Sequence, residues 1–244
     1  MPRQLLLAHR GYSGISPENT QLAFDLAYWF DFDGVELDVH LTKDQILVII
    51  HDETTTRTAH TMREIEFSTL AELQVDDHSR YFRGGTRPQP LMTLEAFLDL
   101  YLDKFSLINV EIKTDQKAYP GIEAHLVALG TKYGSAFETK IVFSSFNFTT
   151  LQTMHALNPR CQLAFLWWKH REFCKLSAAE IRRVCNYLNP WSSLYDRFGT
   201  LYRALGLPLM LWTIKSARAY QKYAADPAVA AQISNYKFAR VSAK

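Results

Sequence analysis

Short apolar, β-branched runs alternate along the chain with longer segments whose apolar positions recur at helical spacing. This is the pattern of repeated strand and helix units about a parallel sheet. Eight runs read as strands: LLLAH (Leu5 to His9), GVELD (Gly34 to Asp38), LINVEI (Leu107 to Ile112), IVFS (Ile141 to Ser144), QLAFL (Gln162 to Leu166), VCNYL (Val184 to Leu188), PLMLW (Pro208 to Trp212) and VAAQI (Val229 to Ile233). Helical periodicity between them covers Asn19 to Phe30, Leu94 to Leu102, Ile122 to Tyr133, Thr149 to Leu157, Ala178 to Arg183, Asp196 to Leu205 and Ser216 to Ala224. Thr93 ahead of LEAFLDLYL and Ser177 with Glu180 three residues on supply start signals. Together these predict an α/β fold, a (β/α)8 TIM barrel.

The run ILVII (Ile46 to Ile50) breaks the repeat, because only Thr42 to Gln45 separate it from the strand before and no helix fits there. It must fold back as a hairpin. With the turn at Lys43 and Asp44, period-two alternation sets His51 opposite Glu36 and Ile49 opposite Asp38. The stretch from there to about Met92 has few long apolar periods and contains RGGTRPQP (Arg83 to Pro90), too long for a simple connection. The expectation is a small inserted cap over about 52–92, within one domain spanning 1–244.

Composition narrows the class. With 48% hydrophobic residues, 244 residues can bury a large core. A net charge of +2 with 21% charged residues excludes a disordered chain and offers no basic excess for nucleic acid. Leu5 to Ala8 is too short for a signal-peptide core or a membrane span. Cys161, Cys174 and Cys185 form no close pair, which argues against a disulfide framework or a cysteine zinc site. Each is expected to be a small buried or half-buried apolar residue. A cytoplasmic protein without a membrane span is the expectation, monomeric or homodimeric.

Candidate chemistry gathers at strand ends. Glu36 and Asp38, two apart on one strand, project to the same face, and two acids are too costly to bury there unless they sit at the catalytic mouth with partners. Glu111 stands near the end of a third strand, with Lys113 two residues on and on the same face. Three converging carboxylates suit one divalent cation, Mg²⁺ or Ca²⁺, rather than zinc. His9 and Arg10 precede a turn at Gly11, and His51 ends another strand beside the acids. A solvated strand end explains any of these singly. Together they match hydrolysis of an anionic ester, and a phosphate ester fits well: histidines as acid and base, Arg10 and Lys113 on the phosphate oxygens. Trp212 is a candidate to stack on a glycerol or head group, whereas Leu163, Phe165 and Trp167 read as core and Lys169, His170 and Arg171 as a solvated loop.

HRG at 9–11, PENT at 17–20, ELD at 36–38, TKD at 42–44, HD at 51–52 and EIK at 111–113 resemble, in order and spacing, the glycerophosphodiester phosphodiesterase family. Weaker echoes, PLMTLEAFL and LWT, extend the likeness over nearly the whole chain. The resemblance implies a barrel enzyme cleaving glycerophosphodiesters to glycerol 3-phosphate and an alcohol. It places the divalent cation on Glu36, Asp38 and Glu111, acid and base on His9 and His51, and phosphate contacts on Arg10 and Lys113. The small phosphodiester would be attacked by water or by its own glycerol hydroxyl. The chain departs from the family pattern at Gln45, where a turn glycine is usual, at Lys215, and at Ser234 and Asn235, where Thr and Asp would be expected. The C-terminal departures are expected to lie away from the metal and histidine motifs. Two rival readings keep the barrel: a phospholipase D-like enzyme acting on lysophospholipid or sphingomyelin, and an inactive barrel serving as a binding module.

Overall fold

Residues 3–239 are described by the computed structural model of the chain, and the outermost residues of the expected 1–244 domain lie outside them. The N-terminal half runs β1 (Leu5–His9), α1 (Gln21–Trp29), β2 (Gly34–Leu41), β3 (Leu47–Ile49), α2 (Thr56–Ala59), a 3-10 turn (Ile65–Phe67), α3 (Leu70–Gln74), β4 (Met92–Thr93), α4 (Leu94–Tyr101) and β5 (Leu107–Ile112). There follow α5 (Ile122–Tyr133), α6 (Ser135–Lys140), β6 (Ile141–Ser145), α7 (Phe148–Leu157), β7 (Gln162–Trp167), α8 (His170–Phe173) and α9 (Ala178–Val184). The chain ends with β8 (Tyr187–Pro190), α10 (Ser192–Arg203), β9 (Leu209–Ile214), α11 (Ala217–Ala224) and β10 (Val229–Ser234).

Eight parallel strands pair in the order β1, β10, β9, β8, β7, β6, β5, β2, and β1 pairs again with β2 to close the barrel. The eight expected barrel strands are all present. One is displaced: VCNYL was expected from Val184, but β8 starts at Tyr187. Ile181, Val184 and Cys185 share a helical face, and the Cys185 amide donates to Ile181 O at 2.8 Å, so the apolar run straddles a helix end and a strand start. The helix expected from Asp196 begins four residues earlier at Ser192. The Ser177 and Glu180 capping box forms, and Thr93 Oγ1 accepts from the Ala96 amide.

The hairpin exists, but its register differs from the expected one. Val39 faces Ile49, His40 faces Val48 and Leu41 faces Leu47. The turn holds three residues rather than two, with Gln45 at φ 64°, its amide donating to Thr42 O and the Thr42 amide to Ile46 O, each at 3.0 Å. A three-residue loop closing on a left-handed position shifts the pairing by one. His51 therefore lies beyond the ladder rather than opposite Glu36. The chain leaves β2 after the Ile50 amide donates to Asp38 O at 3.1 Å.

Gln45 stands where glycine would be unstrained. A left-handed L-residue costs about 1–2 kcal/mol, against about 0.5–1 kcal/mol of extra chain entropy for glycine. Gln45→Gly is thus expected to raise Tm by about 1–4 °C in scanning calorimetry. A fall in Tm would mean that the contact from His125 Nε2 to Gln45 Oε1, at 3.2 Å, matters more than the backbone.

Between β3 and β4 the insertion packs Val48, Ile50, Ile65, Leu73 and Leu91 into a small core of its own. β4, which no periodicity had marked, pairs antiparallel with β3 and ties the insertion to the barrel rim. The main core lies between barrel and helices, while a second cluster of Leu7, Leu107, Val142, Ala164, Met210, Ala231 and Ile233 plugs the barrel interior. Strand alternation carries that inward face upward from the plug to His9 on β1, Asn109 and Glu111 on β5 and Asn189 on β8. The plug thus sets the floor beneath the C-terminal mouth.

Candidate active site

Glu36, Asp38 and Glu111 are buried, at 3%, 0% and 8% exposure, and offer oxygens within 4.8 Å of one another. Asp38 faces Glu111 across the ladder of β2 and β5. Each acid is held by one oxygen. Glu36 Oε2 accepts from the Arg10 amide (2.9 Å), Asp38 Oδ2 from Asn19 Nδ2 (2.8 Å), and Glu111 Oε1 from Lys113 Nζ (2.8 Å). Asp38 Oδ1 is buried with no partner. An orphaned carboxylate oxygen in a ring of three acids fits a cation with oxygen ligands, so the residues present suit Mg²⁺ or Ca²⁺.

The electrostatics agree. Burial, then Asp38 and Glu111, push the Glu36 carboxyl well above its ordinary value, and burial raises Glu111 despite Lys113. Burial opposes ionisation of Asp38 too, but Arg10, His51 and Lys113 prevail and hold its carboxyl below the usual range. Three acids against Arg10 and Lys113 leave one excess negative charge. A dication would convert this into one positive charge, the complement of a phosphodiester.

The turn after β1 places Arg10. Arg10 and Gly11 have φ of 55° and 73°, and a Cβ on Gly11 would lie 2.6 Å from that of Ala23. Glycine there lets the turn lie against α1 while aiming the Arg10 amide at Glu36. The Arg10 side chain sits 3.3 Å from Asp38 and 2.9 Å from Glu18.

His9 is oriented from the far end of the chain. Its Nδ1 meets Asn235 Oδ1 at 2.7 Å; with that carbonyl oxygen as acceptor, Nδ1 carries the hydrogen and Nε2, 3.8 Å from Glu36, is the basic nitrogen. Burial and then Arg10 lower the His9 pKa to about 4, so the ring is neutral near pH 7. This corrects the expectation that the C-terminal departures stand clear of the histidines: Asn235 touches one. Closure of β10 against β1 brings it there.

His51 is oriented from the insertion. Its Nδ1 lies 2.6 Å from Asp52 Oδ1, and Arg57, on α2, binds both Asp52 (2.6 Å) and Glu18 (2.7 Å). A chain of ion pairs thus runs from His51 through Asp52, Arg57 and Glu18 to Arg10. Hydrogen bonds from His51 and Arg57 overcome burial and hold the Asp52 carboxyl well below its ordinary value. Glu18 and Asp52 against Arg57 leave one negative charge on the side of this arm that faces His51. The His51 carbonyl is anchored 3.2 Å from Nε2 of buried His40, whose Nδ1 meets Tyr119 Oη at 2.8 Å.

These side chains open on a cavity of about 410 Å³ lined by His9, Arg10, Glu36, His51, Glu111 and Lys113 on one side. Phe146, Leu166, Trp168, Trp212 and Ile233 form an apolar wall, where Trp212 meets Phe146 edge to face at 5.7 Å. All the expected site residues except Asp38 line the cavity, and Asp38 lies directly behind, within the acid cluster. Glu18, Asn19, Asp52, Arg57 and Asn235 went without a role in the sequence. The motifs PENT and HD contain three of them, so their spacing was the available signal. Leu163, Phe165 and Trp167 are core, whereas the stretch at Lys169 to Arg171 opens the short helix α8. Cys161 and Cys185 are buried but Cys174 is exposed, against expectation, beside His170.

The fold and mouth together define a (β/α)8 barrel with an acid cluster able to hold a divalent ion. Residues 9–236 match the glycerophosphoryl diester phosphodiesterase family, and the chain belongs to it. It is 54% identical over 97% of both chains to the uncharacterized protein MG293 of Mycoplasma genitalium. It is 38% identical to a glycerophosphodiester phosphodiesterase of Caldanaerobacter subterraneus over 68% of this chain and 67% of the other. Among solved structures, an Oleispira antarctica phosphodiesterase in complex with the product sn-glycerol-3-phosphate matches with a TM-score of 0.76 and 25% identity, over 97% and 94% of the two chains. A glycerophosphodiester phosphodiesterase of Agrobacterium tumefaciens shares the fold, with a TM-score of 0.79 and 21% identity over 95% and 96%.

Proposed function

We propose that the protein hydrolyses glycerophosphodiesters, such as glycerophosphocholine or glycerophosphoethanolamine, to glycerol 3-phosphate and an alcohol, using one Mg²⁺ or Ca²⁺ held by Glu36, Asp38 and Glu111. The observation that carries this reading is the buried acid ring with its unpartnered Asp38 oxygen, beside two histidines held by different partners, His9 by Asn235 and His51 by Asp52. When bound, the cation neutralises charge on a non-bridging phosphate oxygen. Arg10 and Lys113 supply donors to the remaining oxygens. His9, neutral and with Nε2 free, takes the proton of the attacking hydroxyl, either water, which gives glycerol 3-phosphate directly, or the glycerol's own 2-hydroxyl, which gives a cyclic phosphate that water then opens. His51, oriented by Asp52, gives a proton to the departing alcohol.

Release of glycerol 3-phosphate from glycerophosphocholine is measured in a coupled assay with Mg²⁺, with Ca²⁺ and with chelator. Cation-dependent release is the expected result, and none with either cation across a panel of head groups would sink the reading. A second reading, turnover of lysophospholipid in vesicles, draws on Trp168 and Trp191, which are exposed at 54% and 37% at the ends of β7 and β8. Among the described residues no helix is long and apolar enough to cross a membrane.

A further inference from the structure

Two asparagines in the cavity wall have no partner within the protein. Asn189 on β8 and Asn109 on β5 are 0% and 1% exposed, and neither Oδ1 nor Nδ2 of either side chain makes a hydrogen bond. Both line the cavity. An unpaired buried polar group costs about 1–3 kcal/mol, so two complete amides left unpaired in a cavity wall are suited to a polar partner that enters it. Two neighbouring buried hydroxyls are paired, Ser145 Oγ donating to Ile112 O at 2.9 Å and Ser234 Oγ to Ile214 O at 2.6 Å, whereas Ser144 Oγ, beside Glu111 across the ladder, is unpaired like the amides.

Their place in the barrel indicates what they face. Asn109 lies two residues below Glu111 on the same strand face, one step above the apolar plug at Leu107. Asn189 pairs across the ladder with Leu166, and Trp212 Nε1 donates to its backbone oxygen at 2.8 Å, which fixes that stretch of β8. The amides therefore occupy the closed end of the cavity, while Trp168 stands at the open rim. A closed end takes a group of constant size, and an open rim tolerates a variable one. In a glycerophosphodiester the constant group is the glycerol.

We infer that Asn189 and Asn109 read the glycerol moiety, their amides hydrogen-bonding its terminal hydroxyl while its carbons lie against Leu166 and Ile233. The inference rests on the proposed substrate class. The 2-hydroxyl sits next to the phosphorus and stays with the histidines, so the terminal hydroxyl is the one that reaches the floor.

The test compares glycerophosphocholine with 2-hydroxypropyl phosphocholine, which keeps the 2-hydroxyl and lacks the terminal one. A site built to pair with a hydroxyl rejects the analogue lacking it, so the wild-type kcat/KM is expected to favour glycerophosphocholine by about tenfold or more. In Asn189→Leu, and separately in Asn109→Leu, that preference should fall to about threefold or less while Tm holds or rises, because a similar-sized apolar group replaces an unpaired amide. Asn189→Ala is the second variant should leucine prevent folding. A preference that persists in the variants, or is absent from the wild type, overturns the inference. If no diester is turned over, calorimetry with glycerol 3-phosphate and propane-1,2-diol 1-phosphate decides it apart from the reaction class. Weaker binding of the deoxy ligand, lost in Asn189→Leu, upholds the floor, and equal binding overturns it.

Discussion

Glu36→Gln is expected to abolish cation-dependent turnover, by about 10³-fold or more, while making the cation-free protein more stable. The loss follows from removing one of the three proposed ligands, since a bound cation supplies several kcal/mol of charge stabilisation to such a reaction. The gain follows from mutual repulsion among the buried acids when no cation is supplied. Burial, Asp38 and Glu111 all disfavour the Glu36 carboxylate, and glutamine keeps an acceptor for the Arg10 amide without the charge. Because the folded pKa lies above the unfolded value, the folded state binds more protons, so wild-type stability falls as pH rises above about 4.5 through the folded pKa. That part of the slope should vanish in Glu36→Gln, and Tm at neutral pH should rise by about 2–4 °C, the shift produced by 1 kcal/mol in a chain of this size. Adding Mg²⁺ or Ca²⁺ should raise Tm for the wild type but not for the variant. A variant less stable than wild type in chelator would show that Glu36 is a structural carboxylate rather than a ligand waiting for its ion.

His51→Ala is expected to lower kcat on glycerophosphocholine by about 10²–10⁴-fold, the usual contribution of a positioned acid or base. The cation-induced rise in Tm should survive, since His51 is no ligand. Its assignment as the acid gives a sharper outcome. A glycerophosphodiester with a p-nitrophenyl leaving group departs without a proton, so His51→Ala should regain most of its activity on that substrate, whereas His9→Ala should not. Rescue of His9→Ala instead would reverse the two roles. Asp52→Asn and Arg57→Ala probe the same arm from behind. Asparagine removes the carboxylate that His51 Nδ1 meets, and loss of Arg57 breaks its ion pairs to both Asp52 and Glu18. Each should cost about tenfold or more in kcat on glycerophosphocholine and much less on the activated ester.

Much of this architecture was legible in the linear pattern. Period-two alternation marks GVELD and LINVEI as strands and places Glu36, Asp38, Glu111 and Lys113 on shared faces, and those side chains do converge. The hairpin was equally evident, because four residues leave no room for a helix. Its register was not, since Gln45 is not the residue that usually announces a left-handed turn position. The error displaced His51 by one step along the ladder, yet its arrival beside the acids did not depend on that ladder. The apolar run VCNYL misled for a related reason: a short apolar stretch has the same composition whether it ends a helix or begins a strand.

Local spacing and alternation thus determined the barrel class, the strand faces and the chemical types at the mouth, because these depend on neighbours within a few residues. Only closure of the barrel decided that Asn235 would orient His9 across a separation of 226 residues. Only the folding of the insertion over the rim joined Arg57 to Glu18, 39 residues away. Likewise the unpaired amides of Asn109 and Asn189 look in the sequence like ordinary strand polars. That they share one cavity follows from how strands distant in sequence are staggered around the barrel, which no local periodicity encodes.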